Sequence, residues 1–404
     1  MHIAIFTCTY LPTINGVANC VSAYRRGLKA RGHQVTVFAP APHDYDISQD
    51  PPDVIRFPAV PAPGDWEYDI ALPYSKPVVE TLWEQHYDIV HTQHPFWVGA
   101  WGQWYAKLSN LPLITTVHTE YTLFSKAVPL PQPLVDAYIH NRVTAYCNTC
   151  QLVTTPVKSA RVRLREEGVT APIKIVPNPI ELGDLPVPEP ERIRAEYQIS
   201  PDNFLIGFIG RLAPEKDLNT VLEAAAVVMQ KLPQAKFLMV GAGPEMPHLQ
   251  ARVDELGITE RVIFTGRVEH EQVAHYQAAL DVLMTASMSE TQPLSYTEAM
   301  AVGTPVVAIR APGSMDMIES EVNGLLSSPE DGAEGLATQT FRIFDDITLR
   351  NAIIDAGRNH VKSYDLEVVT ERLLDVYARA ATLHKDSPRS GRKRPHRKRR
   401  KFRN

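Results

Sequence analysis

Cysteine is scarce: Cys8, Cys20, Cys147 and Cys150 are the four in 404 residues. That is too few for a disulfide scaffold, and it predicts a reduced, cytoplasmic setting. Long apolar runs are also missing. The longest candidate, residues 299–309, spans 11 residues and contains Gly303 and Pro305, against about 18 needed to cross a bilayer as a helix. The opening MHIAIFTCTY has no basic n-region and no small-residue cleavage site, so it reads as a first strand rather than a signal peptide. Neither composition nor charge is extreme. With 44% hydrophobic and 22% charged residues, wholesale disorder, collagen and coiled coil are excluded. The length suits two domains.

The net charge of −5 hides an asymmetry. Residues 385–404 hold 11 Lys/Arg against the single acid Asp386, which makes this tail +10 and leaves a body of 30 bases and 45 acids, or −15. Such a block is expected to be solvated and disordered, and drawn to phosphate on anionic lipid in preference to nucleic acid. A purely solubilising tail is the plainer alternative.

Strand-like apolar runs alternate with amphipathic helical sequence throughout. The runs at 2–7, 34–39, 88–91 and 113–117 in the first half are matched by 204–209, 236–240, 261–265, 282–284 and 305–309 in the second. Parallel sheets covered on both faces read this way. The expected fold class is α/β, with two doubly wound Rossmann-like domains. A proline-rich stretch with Pro177, Pro179, Pro186, Pro188, Pro190 and Pro201 marks the boundary. It predicts a first domain over 1–182, a linker over 183–201 and a second domain over 202–363. A helix over about 364–384 would return to the first domain, ahead of the basic tail.

The strongest local signal is the run from Ser289 to Val307, in which Glu290 and Glu298 are separated by seven residues. Pro293 is expected at the first helical position, with Glu290 on the loop before it and Glu298 inside the helix. Ligands of open α/β sheets bind at that carboxyl edge, free N–H groups at a helix start near Leu294 suit a phosphate, and a carboxylate accepts from a sugar diol. The strand at 204–209 ends in Gly210-Arg211, with Lys216 following: glycine for close backbone approach, a planar fork and a point charge for a diphosphate. Gly241-Ala-Gly243 lacks the third glycine of a dinucleotide fingerprint, because residue 246 is Met. Gly266-Arg-Val268 follows the next strand. In the first half, Asn15-Gly16 would admit a ligand near a helix start. His118, at a strand's end, can bond a hydroxyl or stabilise charge.

This set, Gly16, His118, Gly210-Arg211, Lys216, Gly266-Arg-Val268 and Glu290 with Glu298-Ala-Met-Ala-x-Gly-x-Pro-Val, resembles the family 4 retaining glycosyltransferases of the GT-B fold over residues 1–380. The resemblance implies two Rossmann-like domains facing a central cleft and a nucleotide-sugar donor held mainly by the second. Arg211 and Lys216 would bind the diphosphate with the helix start at Leu294, Glu298 the ribose, Glu290 the donor sugar, and Val268 the base through its backbone. Gly210 would join this donor set. His118 would lie by the sugar, and Gly16 by the phosphate and acceptor. His118, Glu290, Arg211 and Lys216 are the catalytic candidates. The segments Thr291-Gln292, His118-Thr-x-Tyr121, Val128-Pro-Leu-Pro131 and His91-Thr-Gln-His94-Pro-Phe96 are further similar to diacylglycerol glucosyltransferases. They imply a lipid acceptor and a place on the inner face of the plasma membrane. Two departures stand out: Pro293, where relatives often carry Gly, and Asn178-Pro179 at the hinge.

No cofactor and no metal are expected. Asp44-Tyr-Asp46 has a D-x-D form but falls past a strand on an expected surface loop, and Cys147/Cys150 have no second ligand pair. Membrane contact has three candidate elements: Trp97, Trp101 and Trp104 on one helical face, Lys158, Arg161 and Arg165 on another, and the tail. The competing readings are a GT-B enzyme with a soluble acceptor or a GDP-mannose donor, a nucleotide-sugar epimerase, and a nucleic-acid-binding protein using the tail.

Overall fold

The computed structural model describes residues 1–13, 15–61, 69–118, 121 and 130–386. The expected run at 119–120, residues 128–129 of the Val128–Pro131 segment, and the tail from 387 lie outside the described residues. The chain divides into one unit of residues 1–179 with 369–404, and a second of 180–368.

The first unit is built on a seven-stranded parallel sheet. Its spatial order is Val54–Phe57, Gln34–Pro40, His2–Phe6, Ile89–Thr92, Leu113–Thr116, Leu152–Thr155 and Ile173–Ile175. Successive side chains of a strand point to opposite faces, and His2–Phe6 shows this directly. Ala4 and Phe6 enter one apolar cluster with Phe38 and Val90, while Ile3 and Ile5 enter another with Val37 and Ile114. The final helix, Leu366–Lys385, supplies Val369, Leu373, Val376, Tyr377 and Ala380 to that second cluster. The Tyr377 hydroxyl lies 2.9 Å from His91 Nδ1 beneath the sheet.

The second unit has six parallel strands in the order Val262–Gly266, Ala235–Val240, Phe204–Ile209, Val282–Thr285, Val306–Ile309 and Leu325–Ser327. Phe204, Ile206 and Phe208 pack into one cluster, and Leu205 and Ile209 into the one on the opposite face. Four strands of these two sheets go beyond the sequence expectation, Val54–Phe57, Leu152–Thr155, Ile173–Ile175 and Leu325–Ser327, as does a small antiparallel pair, Ala59–Val60 with Ile70–Ala71. Each has at most four residues, too short for its period to stand out.

The expected linker over 183–201 is corrected. The units part between Pro179 and Ile180, and the proline-rich stretch packs within the second unit. Pro190 opens the helix Pro190–Glu196, where a missing N–H costs nothing. Ile193 is fully buried. Arg194 donates to the Ala279 carbonyl at 3.0 Å and to Asp281 at 2.8 Å. Proline density marked the neighbourhood of the boundary, while burial decides its position. The second unit likewise extends to Val368 rather than 363.

Candidate active site

In the second unit the chain leaves Phe204–Ile209 toward one edge of the sheet, then returns through Val282–Thr285 toward the other. The loops after these two neighbouring strands therefore flank a topological switch point, where open α/β sheets bind ligands. Arg211 and Lys216 lie on the first loop, Glu290 on the second.

Lys216 closes the short turn Pro214–Lys216, and its ammonium donates to Glu290 Oε1 across the switch point. Both side chains are about four-fifths buried, at 19% and 24% exposure. Two hydroxyls tie the loops together, since Ser287 Oγ and Ser289 Oγ donate to the Glu215 carbonyl at 3.2 and 3.4 Å. Arg211 is more open and pairs with Glu215. The Glu290 backbone is held from a third side. A Cβ on Gly313 would sit 2.1 Å from the Glu290 carbonyl oxygen, so only glycine fits there. Sequence reasoning missed Gly313 and Ser287, and placed Ser289 on the loop without its bond to Glu215. The Pro312-Gly313 pair just after a strand was the available signal.

Glycine's role on this edge differs in part from the expected ligand approach. A Cβ on Gly241, at φ +139°, would lie 1.9 Å from the Gly210 carbonyl oxygen, and one on Gly243 would lie 2.1 Å from that of Leu212. Leu212 also donates to the Ala242 carbonyl at 2.9 Å, so these glycines let two backbone loops touch and thereby set the Arg211 loop. Val268 follows Gly266, whose φ of +73° turns the chain, and its half-buried side chain packs on the apolar cluster.

The helix spans Leu294–Val302, with Pro293 as its N-cap rather than its first residue. Proline carries no N–H, so the open donors of the first turn begin at Leu294. Glu298 is half-buried on this helix, and its carboxylate makes no hydrogen bond among the described residues. Burial pushes its pKa up, opposed by His270.

The first unit's edge is of another character. Its switch point lies between His2–Phe6 and Ile89–Thr92. Gly16 begins the helix Gly16–Ala30, and Asn15 Oδ1 caps it by accepting the Ala18 N–H at 2.9 Å. A Cβ on the exposed Gly16 would meet nothing within 4 Å, so no described protein group demands glycine there. Arg56, missed in the sequence, pins the preceding loop. It donates to the Leu11 carbonyl at 2.5 Å and the Pro40 carbonyl at 2.9 Å, and pairs with Asp50 at 2.8 Å.

His118 is buried, with Nε2 2.7 Å from Gln93 Oε1. Burial pushes its pKa down to about 4, opposed by the Asn178 side chain, an acceptor that favours the charged form. His91 and His94 fall to about 3 through burial and the nearby His118. A neutral His118 offers hydrogen bonding to a hydroxyl rather than a positive charge.

The remaining motifs do not gather into a site. Asp46 caps the turn Ile47–Gln49 and Asp44 faces His43. Cys147 and Cys150 are buried free thiols. Among the described residues no cluster of three His, Cys, Asp or Glu side chains could hold a metal ion, and no helix is long and apolar enough to cross a membrane. Lys158 and Arg165 are exposed and Arg161 half-buried; Arg165 donates to the Val169 carbonyl at 2.5 Å.

Comparison with known proteins agrees with this architecture. Residues 14–184 match the family model Glycosyltransferase Family 4, and residues 189–360 match Glycosyl transferases group 1. The chain is 29% identical to the alpha-monoglucosyldiacylglycerol synthase of Streptococcus pneumoniae, over 81% of this chain and 75% of that one. It is 29% identical to the GDP-mannose-dependent alpha-mannosyltransferase of Corynebacterium glutamicum, over 96% and 91%. With the 2-deoxystreptamine glucosyltransferase of Streptomyces kanamyceticus it shares 31% identity, over 67% and 70%. Among solved structures, sucrose-phosphate synthase from Thermosynechococcus elongatus superposes with a TM-score of 0.77 at 24% identity, covering 96% of this chain and 100% of that one. The fold and these family matches together define a glycosyltransferase of the GT-B class. More narrowly, the chain belongs to the family in which a Glycosyltransferase Family 4 domain precedes a group 1 domain.

Proposed function

We propose that this glycosyltransferase is a retaining, metal-independent hexosyltransferase that moves glucose from UDP-glucose or a similar nucleotide sugar to a lipid hydroxyl such as that of diacylglycerol. The place of action is the inner, anionic face of the plasma membrane. The observation that carries the donor half is the Lys216–Glu290 pair spanning the switch point, with Arg211 and the open N–H groups from Leu294 beside it. A diphosphate entering there meets an ammonium, a guanidinium and a helix start, each suited to the negative charge that grows on the leaving group. Lys216 turns from Glu290 to the phosphate, which frees the Glu290 carboxylate to accept hydroxyls of the donor sugar. Glu298, whose carboxylate has no hydrogen bond of its own, accepts from the ribose diol. His118, neutral, bonds a sugar hydroxyl. The departing phosphate oxygen takes the acceptor's proton on the face it leaves, so no protein nucleophile is needed.

The lipid acceptor is supported by the similarity to the pneumococcal diacylglycerol enzyme, which spans most of both chains. The mannosyltransferase of C. glutamicum favours a second reading, with GDP-mannose as donor. A panel of UDP- and GDP-sugars incubated with diacylglycerol vesicles separates the two. UDP-glucose should give an organic-soluble glycolipid at a rate that EDTA leaves unchanged. Label confined to a water-soluble product would overturn the acceptor, and loss of transfer in EDTA would overturn metal independence.

A further inference from the structure

The run from His91 to Phe96, which the donor site leaves unassigned, leaves the first unit's strand Ile89–Thr92 at that sheet's switch point. Its backbone is firmly seated. The Gln93 N–H donates to the Phe6 carbonyl at 2.8 Å, and the Gly99 N–H, on the helix Val98–Ser109, donates to the Phe96 carbonyl at 2.8 Å. A Cβ on Gly99 would lie 1.6 Å from the His94 carbonyl oxygen, so only glycine lets the helix press on that residue. Gly313 holds the Glu290 backbone in the same way on the other sheet.

His94 bridges to the neighbouring strand end. Its Nδ1 accepts the N–H of Cys8, which lies just beyond the strand His2–Phe6, at 3.3 Å. A backbone N–H only donates, so Nδ1 carries the lone pair. Burial and the nearby His118 keep the ring neutral, with its pKa down at about 3, and the single ring proton therefore sits on Nε2. That N–H has no partner among the described residues, although the side chain is half-buried. Two half-buried rings stand beside it. Tyr121 lies 6.5 Å from the imidazole, centroid to centroid, and Phe96 stands edge-on to Tyr121 at 5.4 Å.

A single N–H set among aromatic rings recognises an accepting oxygen attached to an apolar group. It does not serve as a base, since one ring nitrogen holds the proton and the Cys8 N–H occupies the other. It does not suit the attacking hydroxyl either, because donation into that oxygen weakens it as a nucleophile. The remaining strong acceptors of diacylglycerol are its ester carbonyls, each at the head of an acyl chain. Resting on the lipid-acceptor reading above, we propose that His94 is a specificity-determining residue for the acceptor: its Nε2–H binds an ester carbonyl oxygen of the glycerolipid, and Phe96 and Tyr121 receive the first carbons of the acyl chain. This contact holds the free hydroxyl in one register at the switch point.

The test compares the full chain on two acceptors in the same detergent micelles: dioctanoylglycerol, and dioctylglycerol, whose ether links lack the carbonyls. Wild type should favour the ester about tenfold in kcat/KM, the reach of one neutral hydrogen bond. His94→Phe keeps a ring without an N–H and should bring the ester-to-ether ratio to about one. His94→Gln restores an N–H close to the Nε2 position and should return the ratio to about threefold or more. Both variants lose the Cys8 contact, so a loss shared by the two acceptors is structural and the ratio reads the N–H alone. Thermal unfolding midpoints check the fold of each. Heteronuclear NMR of histidine-labelled protein should show His94 protonated on Nε2. A wild-type ratio of one, equal ratios in the two variants, or a proton on Nδ1 would each overturn the proposal. The lipid-acceptor reading fails distinguishably. Wild type that glycosylates both lipids equally sinks the His94 assignment alone, whereas wild type that glycosylates neither sinks that reading and the assignment with it.

Discussion

The two sheets share one winding pattern but present opposite chemistry at their carboxyl edges. Around its switch point the second unit places Arg211, Lys216, Glu290 and Glu298, charged groups arranged in pairs or held half-buried. The first unit places a capped glycine helix and three histidines, all driven neutral by burial. A charge left in such low-dielectric surroundings is costly unless partnered. The second edge keeps partnered charges that an anion can recruit, whereas at the first the Arg56–Asp50 pair is tied into holding a loop and the histidines are neutral. On the proposed function, one winding thus serves a diphosphate at one edge and neutral hydroxyls at the other.

The largest effect expected from this contrast follows the cations. Arg211→Ala with Lys216→Ala should lower kcat/KM by about a thousandfold or more, since losing even one preorganised donor to developing charge costs a hundredfold to a thousandfold. Turnover close to wild type would dissolve the distinction between the edges. Next comes Gly241→Ala, whose Cβ has 1.9 Å to the Gly210 carbonyl oxygen and an unfavourable φ. It should cost about 1–3 kcal/mol in urea unfolding, and by moving the Arg211 loop it should raise KM for the donor. A stable variant with wild-type KM would mean that the glycine contact does not set that loop.

The smallest effect per residue concerns acid. His91, His94 and His118 have folded-state pKa values of about 3, 3 and 4, below the ordinary 6.5. Their contribution is present above pH 6.5. As the pH falls toward 4 the unfolded chain takes up protons that the fold refuses, so stability is lost at up to about 1.4 kcal/mol per pH unit for each histidine. Hydrogen exchange at pH 7 and 5.5, corrected for intrinsic rates, should show the first unit's strands opening more at the lower pH. Equal protection at both values would remove the electrostatic half of the contrast.

Much of this organisation was legible in the residues. Runs such as Phe204–Ile209 are continuous, six residues long and fully buried, and a parallel strand covered on both faces has no other pattern. Glycine next to arginine at a strand's end, and two glutamates flanking a helix start, mark the sheet edge where the donor site is proposed. The three-residue strands at Ile173 and Leu325 carry too few residues for any period to show. Pro190 looked like linker because proline density reports poor helix interiors, whereas at the first helical position proline fits.

The amino-acid order by itself determined two doubly wound units and the residue types at their carboxyl edges, because local periodicity and turn chemistry act over a few neighbours. Only the tertiary structure decided that Gly241 and Gly313 serve backbone contacts, that Lys216 reaches Glu290 across 74 positions of chain, and that His118 stays uncharged. Those outcomes depend on which loops meet and how much water is excluded between them, quantities that no single stretch of sequence contains.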